Sequence, residues 1–224
     1  MADGMNRTIS AVLFDVDGTL VNSNDAHAAA WVRAFSDFGV TVDPITVRRS
    51  IGMGGDKLMP AVSDLTEEDP IGAQIAGRRG EIFKNEFLPH LEPFPGAREL
   101  VEAAKQRGFV AVAASSASKQ DLLPLLDVAG AKSLLDDWTS SDDAEESKPA
   151  PDIVEAALKR AGALPHHAVM IGDTPYDVAA ARQAGVRLIA FRSGGWMDPD
   201  LIGCVEIYDG PWDLLDRIDR SLLA

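Results

Sequence analysis

The chain is poor in cysteine, in aromatic residues and in positive charge. Its single cysteine, Cys204, excludes an intrachain disulfide and makes a reducing compartment, the cytoplasm, the natural expectation. Cys204 itself is expected to be a small buried apolar side chain rather than a reactive thiol. Against 35 Asp and Glu there are 21 Lys and Arg, for a formal net charge of -14. That deficit excludes sequence-independent nucleic-acid binding, which needs a cationic face. It also means that an anionic ligand must be attracted locally, not by the overall field. No apolar run approaches a membrane span, and the first seven residues lack the apolar core of a signal peptide. That tail is expected to be loose, with Met5 as an alternative start. No internal repeat is visible. The 224 residues allow one large domain or a core with a substantial insertion, and a monomer is expected.

Hydrophobic patterning divides the chain in two. An apolar strand at 11–14 is followed by Asn22-Ser23-Asn24-Asp25, which offers helix N-caps. From there to His90 no good strand is found; the spacing predicts helices over 28–39, 43–50, 56–63 and 71–88. Glu92-Pro93-Phe94-Pro95-Gly96 punctuates the return. Strands near 109–114, 134–140, 168–172, 186–191 and 205–208 then alternate with helices over 97–107, 119–129, 151–161 and 175–184, with a last helix from about Trp212. Such alternation predicts an α/β fold with a parallel sheet covered on both faces. The acidic run 140–146 is most simply a solvated loop.

The densest chemistry lies just after the first strand, in Phe14-Asp15-Val16-Asp17-Gly18-Thr19. Open parallel sheets bind ligands at the carboxyl ends of their strands. Alternate residues of an extended chain point the same way, so Asp15 and Asp17 can face one site. One carboxylate can then act as nucleophile while its neighbour handles a proton or helps hold a metal. A polar turn would use the same residue types. A calcium loop would not, because Thr19 and Leu20 occupy the positions where that loop needs a third oxygen ligand and a glycine. Three further segments share the strand-then-polar pattern or punctuate a helix start: Val110 to Ser116, Ser147-Lys148-Pro149-Ala150-Pro151-Asp152, and Ile171-Gly172-Asp173-Thr174-Pro175-Tyr176-Asp177.

Together these four segments resemble the motifs of the haloacid dehalogenase superfamily: an Asp-x-Asp loop, a Ser or Thr after a strand, a Lys, and a Gly-Asp-x-x-x-Asp loop, in that order. The resemblance implies a Rossmann-like core, residues 1–21 and 92–224, with a helical cap, residues 22–91, inserted after the first strand. Asn22-Ser23-x-x-x-His27-x-x-x-Trp31 is similar to the subgroup that contains β-phosphoglucomutase and phosphoglycolate phosphatase.

By that resemblance Asp15 is the nucleophile, Asp17 the acid–base, and Lys148 a partner of Asp15 and the phosphate. A serine hydroxyl binds a phosphate oxygen; Ser115, first after the apolar run, is favoured over Ser116. Asp15, the Asp17 backbone carbonyl and Asp173 would hold Mg²⁺. Asp177 either orients that site or is simply an acid favoured in a first helical turn. Gly18, Thr19, His27, Ser116 and Lys57 are the expected substrate contacts, though His27 is equally consistent with packing inside the cap. Where resembled mutases carry a phosphate-binding Arg in a cap loop this chain has Gly55, with Arg48, Arg49 and Lys57 as nearby substitutes. The expected activity is a Mg²⁺-dependent phosphatase of a small phosphorylated metabolite, a sugar phosphate foremost, with a sugar phosphomutase as the alternative. His90, His166 and His167 are read as surface residues.

Overall fold

The structure, a computed structural model, describes residues 9–224. The expected loose tail and Met5 lie outside the described residues. Six strands form one all-parallel sheet: β1 (Ala11–Phe14), β2 (Val110–Ala114), β3 (Asp137–Thr139), β4 (Ala168–Gly172), β5 (Arg187–Phe191) and β6 (Glu206–Tyr208). Their spatial order is β3-β2-β1-β4-β5-β6. The chain therefore winds outward through β2 and β3, then returns to start again on the other side of β1. The reversal leaves a crevice at the carboxyl ends of β1 and β4, where doubly wound sheets place ligands. Register brings these two ends level, with Phe14 beside Ile171 and the Asp15 N–H donating to the Ile171 carbonyl at 2.9 Å.

The pleat of β1 explains why an uninterrupted apolar run was required. Val12 and Phe14 enter one apolar cluster, with Leu100, Val101 and Leu122. Ala11 and Leu13 enter the other, with Ile153, Ala157 and Val178. Both faces are covered, so both must be apolar. Each large side chain so buried contributes about 1.5–3 kcal/mol. The covering helices are α5 (Ala97–Gln106) and α6 (Lys119–Val128) on one side, α7 (Asp152–Ala161) and α8 (Pro175–Gln183) on the other, with α9 (Pro211–Asp216) near the end.

Between β1 and α5 lie four helices, numbered here by chain position as α1 (Asn24–Asp37), α2 (Pro44–Ser50), α3 (Gly55–Val62) and α4 (Pro70–Ile82). Asp43 starts α2 by accepting the N–H groups of Ile45 and Thr46. The helix expected over 71–88 changes character after Ile82, becoming a π turn over Phe83–Phe87 and a 3₁₀ turn over Leu88–His90. Pro89 lacks the N–H that an α-helix would use. The apolar faces of these helices, with Trp31, Phe35, Leu58, Met59 and Ile75, join the Val12 and Phe14 cluster. The two chain crossings between helices and sheet run side by side: Val21 bridges Pro93, Asn22 N–H donates to Glu92, and Phe94 N–H to Leu20.

The acidic run is more ordered than a solvated loop. Ser141–Asp143 forms a 3₁₀ turn closed by Ser140 and Asp143, and Asp143 also pairs with Arg160 at 2.6 Å. Cys204 is half-buried beside the second cluster, and burial raises its thiol pKa. His90 is exposed, whereas His166 and His167 are intermediate. Among the described residues no helix is long and apolar enough to cross a membrane.

Candidate active site

The crevice holds three buried carboxylates and one buried ammonium. Asp15 leaves the end of β1, Asp173 the end of β4, and Asp177 the first turn of α8. Lys148 precedes α7 and is fully buried; its Nζ donates to Asp15 Oδ1 at 2.6 Å and to the Ala114 carbonyl at 2.7 Å, and lies 2.8 Å from Asp177 Oδ1. Burial pushes the Asp15 carboxyl up to about 7, Lys148 pulls it down, and the Asp177 and Asp17 charges add to the rise. Burial disfavours the Lys148 ammonium, but Asp15 and Asp177 more than offset this and hold its pKa above the usual lysine range.

Asp173 is fully buried, and burial with the Asp15 and Asp177 charges raises its pKa well above the ordinary value. Its oxygens accept from the Thr19 hydroxyl and the Asn24 amide, each at 3.0 Å. Backbone crowds it closely: a Cβ on Gly194 would fall 1.7 Å from Asp173 Oδ2, and one on Gly18 2.3 Å from it. Gly18 also sits at φ +79°, in the left-handed region. One oxygen each from Asp15, Asp173 and Asp177 lies within 4.8 Å of the others. Three buried acids against one ammonium leave excess negative charge. Hard oxygen donors of this kind suit a divalent cation such as Mg²⁺. Asn24 Oδ1, buried beside Asp173 without a partner, is one more oxygen of the right kind.

Asp17, beside this group, has partners of its own. Its Oδ1 accepts the Ser23 hydroxyl and lies 2.8 Å from His27 Nε2. Burial favours the neutral acid, but His27 and Ser23 outweigh it and hold the Asp17 pKa below the usual range. His27 is fixed in turn by stacking on Phe83, 3.9 Å between ring centres and 11° between planes. Asp177 Oδ2 accepts the Thr174 N–H and hydroxyl at 3.0 and 2.7 Å while its Oδ1 faces Lys148. It thus caps α8 and belongs to the charged cluster at once.

A cavity of about 480 Å³, counting its open mouth, rises from Asp15 and Asp17. Ser115, Ser116 and Ala117 wall it from the sheet side; His27, Trp31, the 51–55 loop and Arg79 wall it from the helices. Both serines are therefore present. Ser115 is buried and its Oγ accepts the Ala117 N–H at 3.0 Å; Ser116 Oγ stands 3.4 Å from the Lys148 N–H. Neither caps α6, a role that falls to Ser118.

Three expected substrate contacts are placed elsewhere. Lys57 does not line the cavity, because the nearer carboxylate of Glu146 holds its ammonium at 2.6 Å. Thr19 is fully buried beneath the cavity and spends its hydroxyl on Asp173. Gly18 supports Asp173 and accepts from the Ser193 hydroxyl at 2.7 Å instead of walling the cavity. Arg48 is bound to Asp25 and the Gly194 carbonyl, and Arg49 lies 5.2 Å from the Trp196 ring centre, so neither substitutes at Gly55.

Arg79 was not anticipated. Among the described residues it is the one Lys or Arg on the cavity wall, with Nη1 2.7 Å from Asp121, its guanidinium 5.1 Å from the Trp31 ring centre and its Nε buried without a partner. Its signal was available: Arg79 follows Ile75 by four positions and precedes Ile82 by three, on the apolar face of α4.

Comparison with known proteins agrees with this architecture. Residues 12–191 match the model of a family described as haloacid dehalogenase-like hydrolases. The chain is 35% identical over 189 residues to Suppressor of Quenching 1, a chloroplastic protein of Arabidopsis thaliana; the match covers 83% of this chain but only 18% of that longer protein. It is 25% identical over 193 residues to the fructose-1-phosphate phosphatase YqaB of Escherichia coli, covering 84% of this chain and 99% of the relative. A solved putative β-phosphoglucomutase from Bacteroides vulgatus superposes with a TM-score of 0.83 at 26% identity, over 96% of this chain and 90% of the other.

Proposed function

The chain belongs to the haloacid dehalogenase-like hydrolases and is a phosphatase of that family; on this premise we propose that it hydrolyses a small phosphorylated sugar or related metabolite through an aspartyl-phosphate, with Mg²⁺ bound. The observation that carries the proposal is Asp15, on the floor of the cavity and paired from behind with the buried Lys148, beside a second floor carboxylate, Asp17, that has separate partners. Residues 22–91 act as a cap over the core of 1–21 and 92–224.

Asp15 Oδ2, the oxygen not bonded to Lys148, attacks phosphorus, and the bond from phosphorus to the leaving oxygen breaks as the new one forms. Lys148 keeps Asp15 oriented and offsets charge on the phosphoryl oxygens, to which Ser115 and Ser116 present hydroxyls. Asp17 passes a proton to the departing alcohol. Because Ser23 and His27 hold its carboxylate ionised, Asp17 takes up that proton from solvent before delivering it. Asp17 then takes a proton from water, which attacks phosphorus and regenerates Asp15 as inorganic phosphate departs. A Mg²⁺ held by Asp15, Asp173 and Asp177 would supply neutralisation of the phosphate charge.

A sugar phosphomutase is the second reading, and Arg79 is the observation in its favour, since a bisphosphate needs a cation on the cap wall. Asp121 already occupies that guanidinium, which supports the phosphatase. The test is ³¹P NMR of the enzyme with β-glucose 1-phosphate and catalytic glucose 1,6-bisphosphate, beside a screen of phosphorylated metabolites for phosphate release. Free phosphate from a sugar phosphate is expected. Rapid isomerisation to glucose 6-phosphate without free phosphate would replace the phosphatase by the mutase.

A further inference from the structure

We infer that Asp56, on the helical cap, is a positioning residue for Lys148; the inference rests on the reading of Lys148 given above. Asp56 lies in the first turn of α3, where any acid is favoured by the helix dipole. Its oxygens, however, are engaged outside the helix. Oδ1 accepts the Ser147 hydroxyl and Oδ2 accepts the Ser147 N–H at 3.3 Å. Ser147 Oγ in turn accepts the Gly54 N–H at 3.0 Å, and Lys57 meets Glu146 at 2.6 Å. Gly54, Asp56 and Lys57 thus hold two successive residues of the core, and the residue after them is Lys148.

The fit is close. A Cβ on Gly54 would stand 2.6 Å from Asp56 Oδ1 and 2.7 Å from both Cβ and Oγ of Ser147, so only glycine allows the loop to approach. Ser147 is buried by the contact, while Asp56 remains exposed at the rim and does not line the cavity. Asp56 therefore acts through Ser147 and not on the substrate. Beyond the grip, Lys148 is held by the long Ser116 contact at its N–H and by the partners of its ammonium, while Gln183 donates to the Pro149 carbonyl at 2.7 Å and Ala150 N–H to the Ser147 carbonyl at 3.1 Å. Releasing Ser147 loosens the N-terminal side of the backbone from which the ammonium reaches Asp15. A displacement of about 1 Å in such a support costs up to about a hundredfold in rate.

The experiment compares Asp56→Ala, Ser147→Ala and the double variant by steady-state hydrolysis of p-nitrophenyl phosphate with saturating Mg²⁺, with melting temperatures measured alongside. Each single variant should lose about ten- to a hundredfold in kcat with KM held within about twofold. The double variant should fall no further than the weaker single, because both break one linkage. Asp56→Asn, which keeps an acceptor for the Ser147 hydroxyl, should recover part of the loss, and Gly54→Ala should reproduce it. Wild-type kcat in Asp56→Ala, a loss confined to KM, or losses that multiply in the double variant would each overturn the inference. Lys148→Ala separates the two readings. Its loss alongside an unaffected Asp56→Ala rejects only the positioning role; wild-type turnover in Lys148→Ala rejects the reading of the site and the inference with it.

Discussion

Replacing Lys148 by Met should destabilise the protein in a way that depends on pH and on Mg²⁺. Methionine fills nearly the same volume, so the packing loss is small. What disappears is the one cation facing Asp15 and Asp177 at 2.6 and 2.8 Å. Breaking a buried ion pair from one side costs about 3–5 kcal/mol. Lys148 has its folded pKa raised, so its contribution is complete below about 10.5 and constant across the neutral range. The pH dependence comes from the acids. Asp15 titrates near 7 in the fold, above its unfolded value, so the folded state binds more protons and stability falls as pH rises toward 7. Without Lys148 its pKa moves higher, and the decline continues past neutrality at about 1.4 kcal/mol for each further unit. The loss caused by the substitution should therefore be larger at pH 8 than at pH 5 by about 1.4 kcal/mol. Mg²⁺ at about a hundred times its dissociation constant should return about 2.7 kcal/mol to whichever form binds it. Urea unfolding at pH 5 and pH 8, with Mg²⁺ or EDTA, measures all four corners. Equal losses at both pH values, unaltered by Mg²⁺, would show that Lys148 acts by packing and would refute the charge argument.

Asp15→Asn should abolish turnover while the fold persists, and beryllofluoride should bind the wild type at Asp15 and leave the variant unlabelled, as read by ¹⁹F NMR. Asp17→Asn should slow alkyl phosphates by about a hundredfold or more and p-nitrophenyl phosphate less, since a good leaving group needs no proton; equal losses on both would count against the acid role. Excess EDTA should remove activity and Mg²⁺ restore it, with metal content checked by elemental analysis. Gly194→Ala should displace Asp173, whose Oδ2 lies 1.7 Å from the new Cβ, and calorimetry should show Mg²⁺ binding weakened by about tenfold or more; unchanged affinity would remove Asp173 from the metal set.

The sheet was legible because its signal is local. β1, β2 and β4 are short apolar runs stopped by polar residues, and both faces are buried, so nothing about their partners had to be known. Alternation placed Asp15 and Asp17 on one cavity floor but did not show their separate hydrogen-bond partners. The chain turns at Gly18, and Ser23 and His27 then bind Asp17. Lys57 shows the reach of a distant partner. A lysine near a glycine-rich loop suggests phosphate, yet Glu146, distant in sequence, is 2.6 Å away. Arg79 was hidden because a polar residue on an apolar stripe reads as an imperfection of the stripe, until the fold closes a cavity over it.

The side-by-side crossings at Val21 and Pro93 change how the inserted helices relate to the sheet. Because entry and exit are already bridged, the chain passes from the core into residues 22–91 and back as it would through a hairpin loop, by a single doorway. Lengthening such a loop adds only about 0.6 kcal/mol of closure entropy for each doubling. The doorway therefore sets no tight limit on what hangs beyond it. Helical stretches there that make no contact with the core can be extended or trimmed while β1 and β4 keep their alignment, and the carboxylates at their ends stay level. Freedom of shape is left to the stretches between Ser23, Asn24, His27, Gly54 and Asp56, which are themselves bound to the core.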